Sequence, residues 1–215
     1  VSDRAQRISQ RSFIELAKKK KAYMKTSPVL WCTECQTSIA QAELETKECE
    51  TVFNYLNFTT PIGNLLIATT RPELLAGCAC IFVHPDDTRY KKFIGQKAIV
   101  PLYDFEIPIL ADDTVAMDKG TGVVMCASFG DSADVEWYQK HKLTSKEVIL
   151  ADGTISEKID FIGKMTVKKA RAYIIELLKK QNLLVKQETI RHMVAVHERC
   201  QHEVEFIMSK QIRKM

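Results

Sequence analysis

The chain has 215 residues, with 31 Lys and Arg against 27 Asp and Glu for a formal net charge of +4, and 46% of its residues are hydrophobic. Eight glycines and six prolines are too few for collagen-like, low-complexity or disordered classes, and the length suits one globular domain with small flanking pieces. No apolar run approaches the ~18 residues of a membrane span, and Val1-Ser2-Asp3-Arg4 lacks the apolar core of a signal peptide, so the expectation is a soluble, cytoplasmic protein without a membrane partner.

In chain order, residues 4–24 predict a helix. Ile8, Phe13, Leu16 and Ala17 form a partial apolar stripe, and the charged run Lys18 to Lys21 precedes Pro28 and an extended link through Val29-Leu30-Trp31. From about 52 to 150 the pattern turns to short β-rich runs, at 65–69, 79–83, 98–100, 106–110 and 123–126. A helix starting near Asp131-Ser132 and reaching about His141 interrupts them, and Asp152-Gly153 marks a turn. A second helix at 167–181 places Val167, Ala170, Ile174, Leu177 and Leu178 on one buried face. Many short strands with few helices between them predict an α/β chain of the α+β type, with a barrel-like core of mostly antiparallel strands and peripheral helices.

Charge is unevenly spread: +6 over residues 1–30, −9 over 31–160 and +7 over 161–215. Basic ends are what contact with a polyanion such as RNA requires, and equally what two solvated amphipathic helices show. The seven cysteines, at 32, 35, 49, 78, 80, 126 and 200, cannot all pair within one chain. Cys32-x-x-Cys35 and His197-x-x-Cys200 are two ligand pairs of equal spacing that would make a closed tetrahedral site for structural zinc, with His202 as a rival ligand. Two small buried residues would give the same Cys-x-x-Cys pattern.

Two further segments carry chemistry-bearing side chains. Thr69-Thr70-Arg71-Pro72-Glu73-Leu74-Leu75 puts two hydroxyls and a guanidinium at a strand end, suited to a phosphate, a ribose or an ester carbonyl, or alternatively to a Thr-capped helix start with an exposed Arg. Gly120-Thr121-Gly122-Val123-Val124-Met125 leads through Cys126-Ala127-Ser128-Phe129-Gly130 to Asp131 and Asp134. These two acids, three residues apart in a first turn, could share a face and hold an ammonium or hydroxyl, or simply suit the helix dipole.

Taken jointly, these segments resemble one family. The strand ending in Ala68-Thr69-Thr70-Arg71-Pro72-Glu73-Leu74, then Val83-His84-Pro85-Asp86-Asp87-x-Arg89-Tyr90, Ile107-Pro108-Ile109 with Ala111-Asp112, and the Gly-Thr-Gly-Val-Val segment with its two acids resemble the editing insertion of valyl-tRNA synthetases. The flanks are similar too. Trp31-Cys32-x-x-Cys35-Gln36-Thr37 resembles the start of that insertion, and His197-Glu198-Arg199-Cys200 with Val204-Glu205-Phe206 and Ser209-Lys210-Gln211 its exit, so the likeness spans about 8 to 211. Isoleucyl and leucyl enzymes share the architecture but differ around Thr69 to Glu73. No His-x-Gly-His motif is present, and Lys164-Met165-Thr166-Val167-Lys168 imitates a Lys-Met-Ser-Lys-Ser loop without a Rossmann unit before it.

The resemblance implies an editing-domain fold divided as 1–50 (helix and Cys-containing linker), 51–190 (core) and 191–215 (return strand and exit linker). It implies hydrolysis of mischarged Thr-tRNA(Val), with threonyl-adenylate as an alternative substrate, by an activated water. No aminoacylation is expected of this segment. Asp134, Asp131 and Thr70 are the catalytic candidates: Asp134 matches the acid that holds the α-ammonium, and Asp131 the acid near the threonine side chain. Thr69, Thr70 and Arg71 match the loop that cradles the terminal adenosine and the ester, with Glu73, Lys119, Gly120, Thr121, Met125 and Ala127 completing the substrate site. Hydrolysis then needs no cofactor, and ATP serves only a full-length parent enzyme. The implied partners are the CCA end of tRNA and the rest of the synthetase. Met125, Ala127, Gly130 and Lys119 depart from many bacterial members, which carry Lys, Thr, His and an aromatic residue there. An isoleucyl or leucyl editing domain and a non-catalytic RNA-binding module are the competing readings.

Overall fold

The computed structural model describes residues 2–214. Ser2 caps the first helix, α1 (Asp3–Lys18), by accepting the N–H of Ala5. The helix ends six residues earlier than expected. Lys20 takes a left-handed conformation (φ 57°), and the Lys20 and Lys21 N–H groups bond back to the carbonyls of Ala17 and Leu16, which closes the last turn and reverses the chain. No residue of α1 is buried; Ile8 and Ile14 are 60% and 52% exposed.

β1 (Ala22–Cys32) follows, then β2 (Thr37–Ser38), the long β3 (Leu44–Thr60) and β4 (Gly63–Thr69). A 3₁₀ turn at Pro72–Gly77 leads into β5 (Cys78–Val83), β6 (Lys97–Ile99), β7 (Glu106–Ala111) and β8 (Val123–Ala127). The rest is α2 (Ser132–Lys140), α3 (Val167–Lys180), β9 (Leu184–His197) and β10 (Val204–Lys214). The expected core strands and both later helices are present, with ends shifted by one or two residues. The length of β3, and the start of β9 at Leu184 ahead of the return strand expected from 191, were not expected: Leu44 to Val52 is mostly charged and small residues and lacks the apolar run that marked the others.

The chain divides into two compact units, Val1–Val29 with Met208–Met215, and Leu30–Ile207. The smaller holds α1. In the larger, one sheet runs β4-β3-β6-β7-β5-β8, with β9 also paired to β3; most of β1 and β10, which belong to a second sheet of order β10-β1-β2, lies in the smaller. All the registered pairs are antiparallel except β5 with β7. β4 and β8, the two ends of the main order, pack against each other, so the sheet curls into a half-barrel. This is the barrel-like α/β architecture expected. The boundaries expected at 50/51 and 190/191 fall inside the paired strands β3 and β9, which register Glu50 against Arg191.

Alternation decides what the sheet buries. Leu56, Phe58, Leu65 and Ile67 from β3 and β4 meet Ile81, Ile109, Ala98 and Val123 across the curl. Ala170, Ile174 and Leu178 of α3 close the core at helical spacing, with Val167 and Leu177 at its margin. Trp31 fixes the loop after α2 by donating its indole N–H to the Ala151 carbonyl at 2.9 Å.

Candidate active site

Beyond Ala127 the chain passes through Ser128 and Phe129, both at positive φ (36° and 59°), before Asp131 caps α2. Two successive left-handed non-glycine residues are costly, and they persist only where neighbours tie the turn down. Here the Ser128 hydroxyl sits between the carbonyls of Lys146 and Gly77 at 2.6 and 3.1 Å, and its N–H donates to the Tyr138 hydroxyl at 3.2 Å.

Asp131 Oδ1 accepts the Asp134 N–H at 2.9 Å. As the cap, Asp131 has extended backbone (φ −153°), so the helical spacing does not apply to it and the two acids do not share a face: Asp131 is exposed, while Asp134 turns inward and is buried. Asp134 Oδ2 accepts the Gly130 N–H at 2.8 Å. Burial, then the charge of Asp131, push the Asp134 carboxyl up to about 7; the Cys126 thiol and the Gly130 N–H oppose them by hydrogen bonding. A buried acid poised near neutrality is a marker of a working site.

The second loop leaves β4. Thr69 is buried and its Oγ1 accepts the Arg71 N–H at 3.1 Å, so it closes a local turn; the 3₁₀ turn that follows has no side-chain cap, and Thr70 stays half-exposed. Arg71 is not the exposed guanidinium of the capped-helix alternative. Its Nη2 donates to both oxygens of Glu205 at 2.9 and 2.8 Å, its Nε to Glu73 at 3.2 Å, and its Nη1 to the Gly130 carbonyl at 3.1 Å. Glu73 has no exposure and also takes a two-point contact from Arg171 at 2.9 and 2.8 Å. The four charges balance inside the protein, and the Arg71–Gly130 bond joins the threonine loop to the acid turn.

The third segment is braced from outside. Arg89, paired with Asp87 at 2.6 Å, donates to the Met117 carbonyl at 2.7 Å, and the Tyr90 hydroxyl donates to the Thr121 carbonyl at 2.9 Å. Gly120 (φ 62°) lies so near β4 that a Cβ on it would stand 3.3 Å from that of Ala68, the residue before Thr69. Lys119 and Gly120 are exposed and Thr121 half-buried; on β8, Met125 is half-buried and Ala127 buried.

A separate cluster joins the turn after β1 to the turn after β9. Cys32, Cys35, His197 and Cys200 hold one ligand atom each within 4.8 Å of the others and could hold a metal ion. The Cys32 and Cys200 sulfurs are 3.4 Å apart, and His197 Nδ1 lies 3.4 Å from Cys200 Sγ and 3.6 Å from Cys35 Sγ. Ligands about 2.0–2.3 Å from a shared tetrahedral centre stand roughly 3.4–3.8 Å apart, so the spacing fits. His202 is exposed and pairs with Glu34 instead.

The sequence reading missed Glu205, Arg171 and the Cys126 thiol against Asp134. A lone acid in an exit segment, an Arg on a helix and a Cys on a buried strand carry no spacing signal; only the fold shows them converging.

The family described as "Leucyl-tRNA synthetase, editing domain" matches residues 86–193. The chain belongs to this family of synthetase editing domains. Its relatives include the valine--tRNA ligase of Rickettsia canadensis (44% identical over 213 residues, 98% of this chain and 26% of that ligase) and that of Rickettsia typhi (46% over 210 residues, 96% and 26%). The valine--tRNA ligase of Ehrlichia canis is 42% identical over 220 residues, 98% of this chain and 27% of that ligase. They mark it as the editing domain of a valyl-tRNA synthetase family member, and it spans about a quarter of the length of these relatives. No helix among the described residues is long and apolar enough to cross a membrane.

Proposed function

We propose that this chain deacylates mischarged tRNA, with Thr-tRNA(Val) as its substrate, in the cytoplasm and as part of a larger valyl-tRNA synthetase. The observation that carries the reading is Asp134: a buried carboxylate at the start of α2, tied through Gly130 and Arg71 to the threonine loop. Ionised, it accepts the α-ammonium of the aminoacyl ester. Thr69 and Thr70 border the terminal adenosine and ester beside Lys119, Gly120 and Thr121, and Asp131, Met125 and Ala127 face the amino-acid side chain. Water attacks the ester carbonyl, the bond to the ribose oxygen breaks, and threonine and free tRNA leave.

Hydrolysis here draws on positioning and electrostatics. Cys126 is a poor nucleophile, because its hydrogen bond with Cys80 and its burial both raise its thiol far above the ordinary range. A second site is needed because a hydrophobic valine pocket only weakly refuses the isosteric threonine; valine and threonine are the established example. A site that bonds the extra hydroxyl spares Val-tRNA.

The metal cluster is proposed as structural zinc, bound by Cys32, Cys35, His197 and Cys200 and closing the base of the domain. Its thiolates and imidazole fill all four positions, leaving none for substrate. ATP belongs to the parent ligase.

The test is release of threonine from Thr-tRNA(Val), beside Val-tRNA(Val), by the full-length protein carrying this chain and by its Asp134→Ala variant. Selective release that vanishes in the variant, with tRNA affinity retained, is expected. Equal release from both esters, or an unaffected variant, overturns the reading; tRNA binding that depends on Lys18 to Lys21, without hydrolysis, would replace it with an RNA-binding module.

A further inference from the structure

Resting on the hydrolytic reading above, we infer that Glu205, 134 residues beyond Arg71 on the return strand, is a positioning residue for the catalytic acid: it holds the Arg71 guanidinium on the Gly130 carbonyl, and Gly130 holds Asp134.

The division of partners supports this. Glu73 gives both oxygens to Arg171 and shares only one with Arg71, through Nε at 3.2 Å. Glu205 gives both of its oxygens to Arg71 Nη2 at 2.9 and 2.8 Å, and so fixes the end of the guanidinium away from Glu73. Four of the five N–H donors of Arg71 are then spent, and the one aimed at the acid turn, on Nη1, reaches the Gly130 carbonyl at 3.1 Å. Without Glu205, two half-buried guanidinium groups share Glu73, and Arg71 turns towards it and away from Gly130.

Arg71 Nη1 is what holds the Gly130 carbonyl. Gly130 follows two residues at positive φ, and its own N–H is shared between Asp134 Oδ2 at 2.8 Å and the Ala127 carbonyl at 3.0 Å. That carbonyl of Gly130 shares its peptide plane with the Asp131 N–H, which also hydrogen-bonds the Asp134 carboxylate, so a plane released there turns and carries that donor away. Hydrogen bonding to an ionised carboxylate favours ionisation, so losing the bond makes Asp134 harder to ionise. The other groups facing Asp134 stay in place: Asp131 and Tyr138 from α2 and its cap, Cys126 from β8, and Cys78 from β5.

The test is the pH profile of Thr-tRNA(Val) deacylation between pH 6 and 8.5, with spontaneous hydrolysis subtracted, in the full-length protein and its Glu205→Gln and Glu205→Asp variants. Glu205→Gln should move the midpoint of the acid limb up by about half a unit or more and keep the alkaline plateau within roughly threefold. Glu205→Asp, which keeps the charge on a shorter arm, should move it less and serves if the first variant does not fold. A plateau that falls with an unmoved midpoint means a merely structural role and overturns the proposal, as does no change in either variant. Asp134→Asn separates the two levels: if it abolishes hydrolysis while Glu205 variants match wild type, only the positioning role fails; if it hydrolyses normally, the hydrolytic reading fails and takes this inference with it.

Discussion

Asp131 Oδ1 receives the backbone N–H of Asp134 at 2.9 Å, so the residue whose charge disfavours ionisation of Asp134 also fixes where that acid sits. One neighbour thus acts on both position and protonation, beside the burial that dominates the latter, and the effect is measurable in both stability and rate.

For stability, the Asp134 carboxyl is raised in the folded state to about 7 from an ordinary 3.8. Between those values the folded chain binds the proton more tightly than the unfolded chain, so this residue's contribution is fully present below about pH 4 and is lost as pH rises through about 7. Asp134→Asn should raise the melting temperature at pH 8, by an amount equivalent to about 1–3 kcal/mol, and the gain should shrink towards zero near pH 4. Thermal unfolding at both pH values checks it. Hydrolysis runs the opposite way: wild-type rate should climb through about pH 7, as the ionised acid becomes available for the ammonium.

Gly130→Ala probes the same turn without changing a charge. The added Cβ would stand 3.0 Å from Asp134 Oδ2 and 3.1 Å from Leu74 Cδ1. The carboxylate must give way, and misplacement of a positioning group by a fraction of an ångström slows catalysis about tenfold to a hundredfold. Deacylation of Thr-tRNA(Val) should fall by that factor, with stability changed by less than about 1.5 kcal/mol in denaturant unfolding.

Gly77→Ala should fail differently. Its Cβ would overlap Ser128 Oγ at 1.8 Å and crowd Val148 at 2.6 Å, and Ser128 is the residue that ties the left-handed turn to Gly77 and Lys146. Overpacking of this severity costs about 3 kcal/mol or more. Urea unfolding should show a lower midpoint, and any folded fraction should have lost hydrolysis because the acid turn is displaced.

Metal content tests the cysteine cluster. Elemental analysis of chain purified without chelator should give about one zinc per chain, and Cys35→Ser should lower that value and the melting temperature together. Replacement of His202, which lies outside the cluster and pairs with Glu34, should leave zinc content unchanged.

The sequence made the short core strands and the face of α3 legible, because each is a local apolar pattern: Leu65 and Ile67 alternate along β4, and Ala170, Ile174 and Leu178 recur at helical spacing. The segments bearing Thr69, Thr70 and the two acids were legible as motifs. What they do together was not. Arg71 reads as a ligand-facing cation in one dimension, and only the fold brings Glu205 to meet it. β3 before Val52 reads as polar chain, since its order comes from pairing with β9 and leaves much of the strand exposed. The full length of α1 was overestimated because lysines continue a helix as readily as they leave one, and the reversal at Lys20 has no side-chain signature.

The β3–β9 ladder also bears on how the chain is made. It begins at Leu44 opposite His197 and ends at Leu56 opposite Leu184, so β3 leaves the ribosome well over a hundred residues ahead of its partner. Pairing across such a separation carries a large loop-closure cost and forms late. Until β9 emerges, the outer half of β3 is a bare strand edge, open to the same strand on a neighbouring nascent chain. Its run of Glu45, Lys47, Glu48 and Glu50 puts charge on that edge during the wait, which makes premature pairing unfavourable before the native ladder closes.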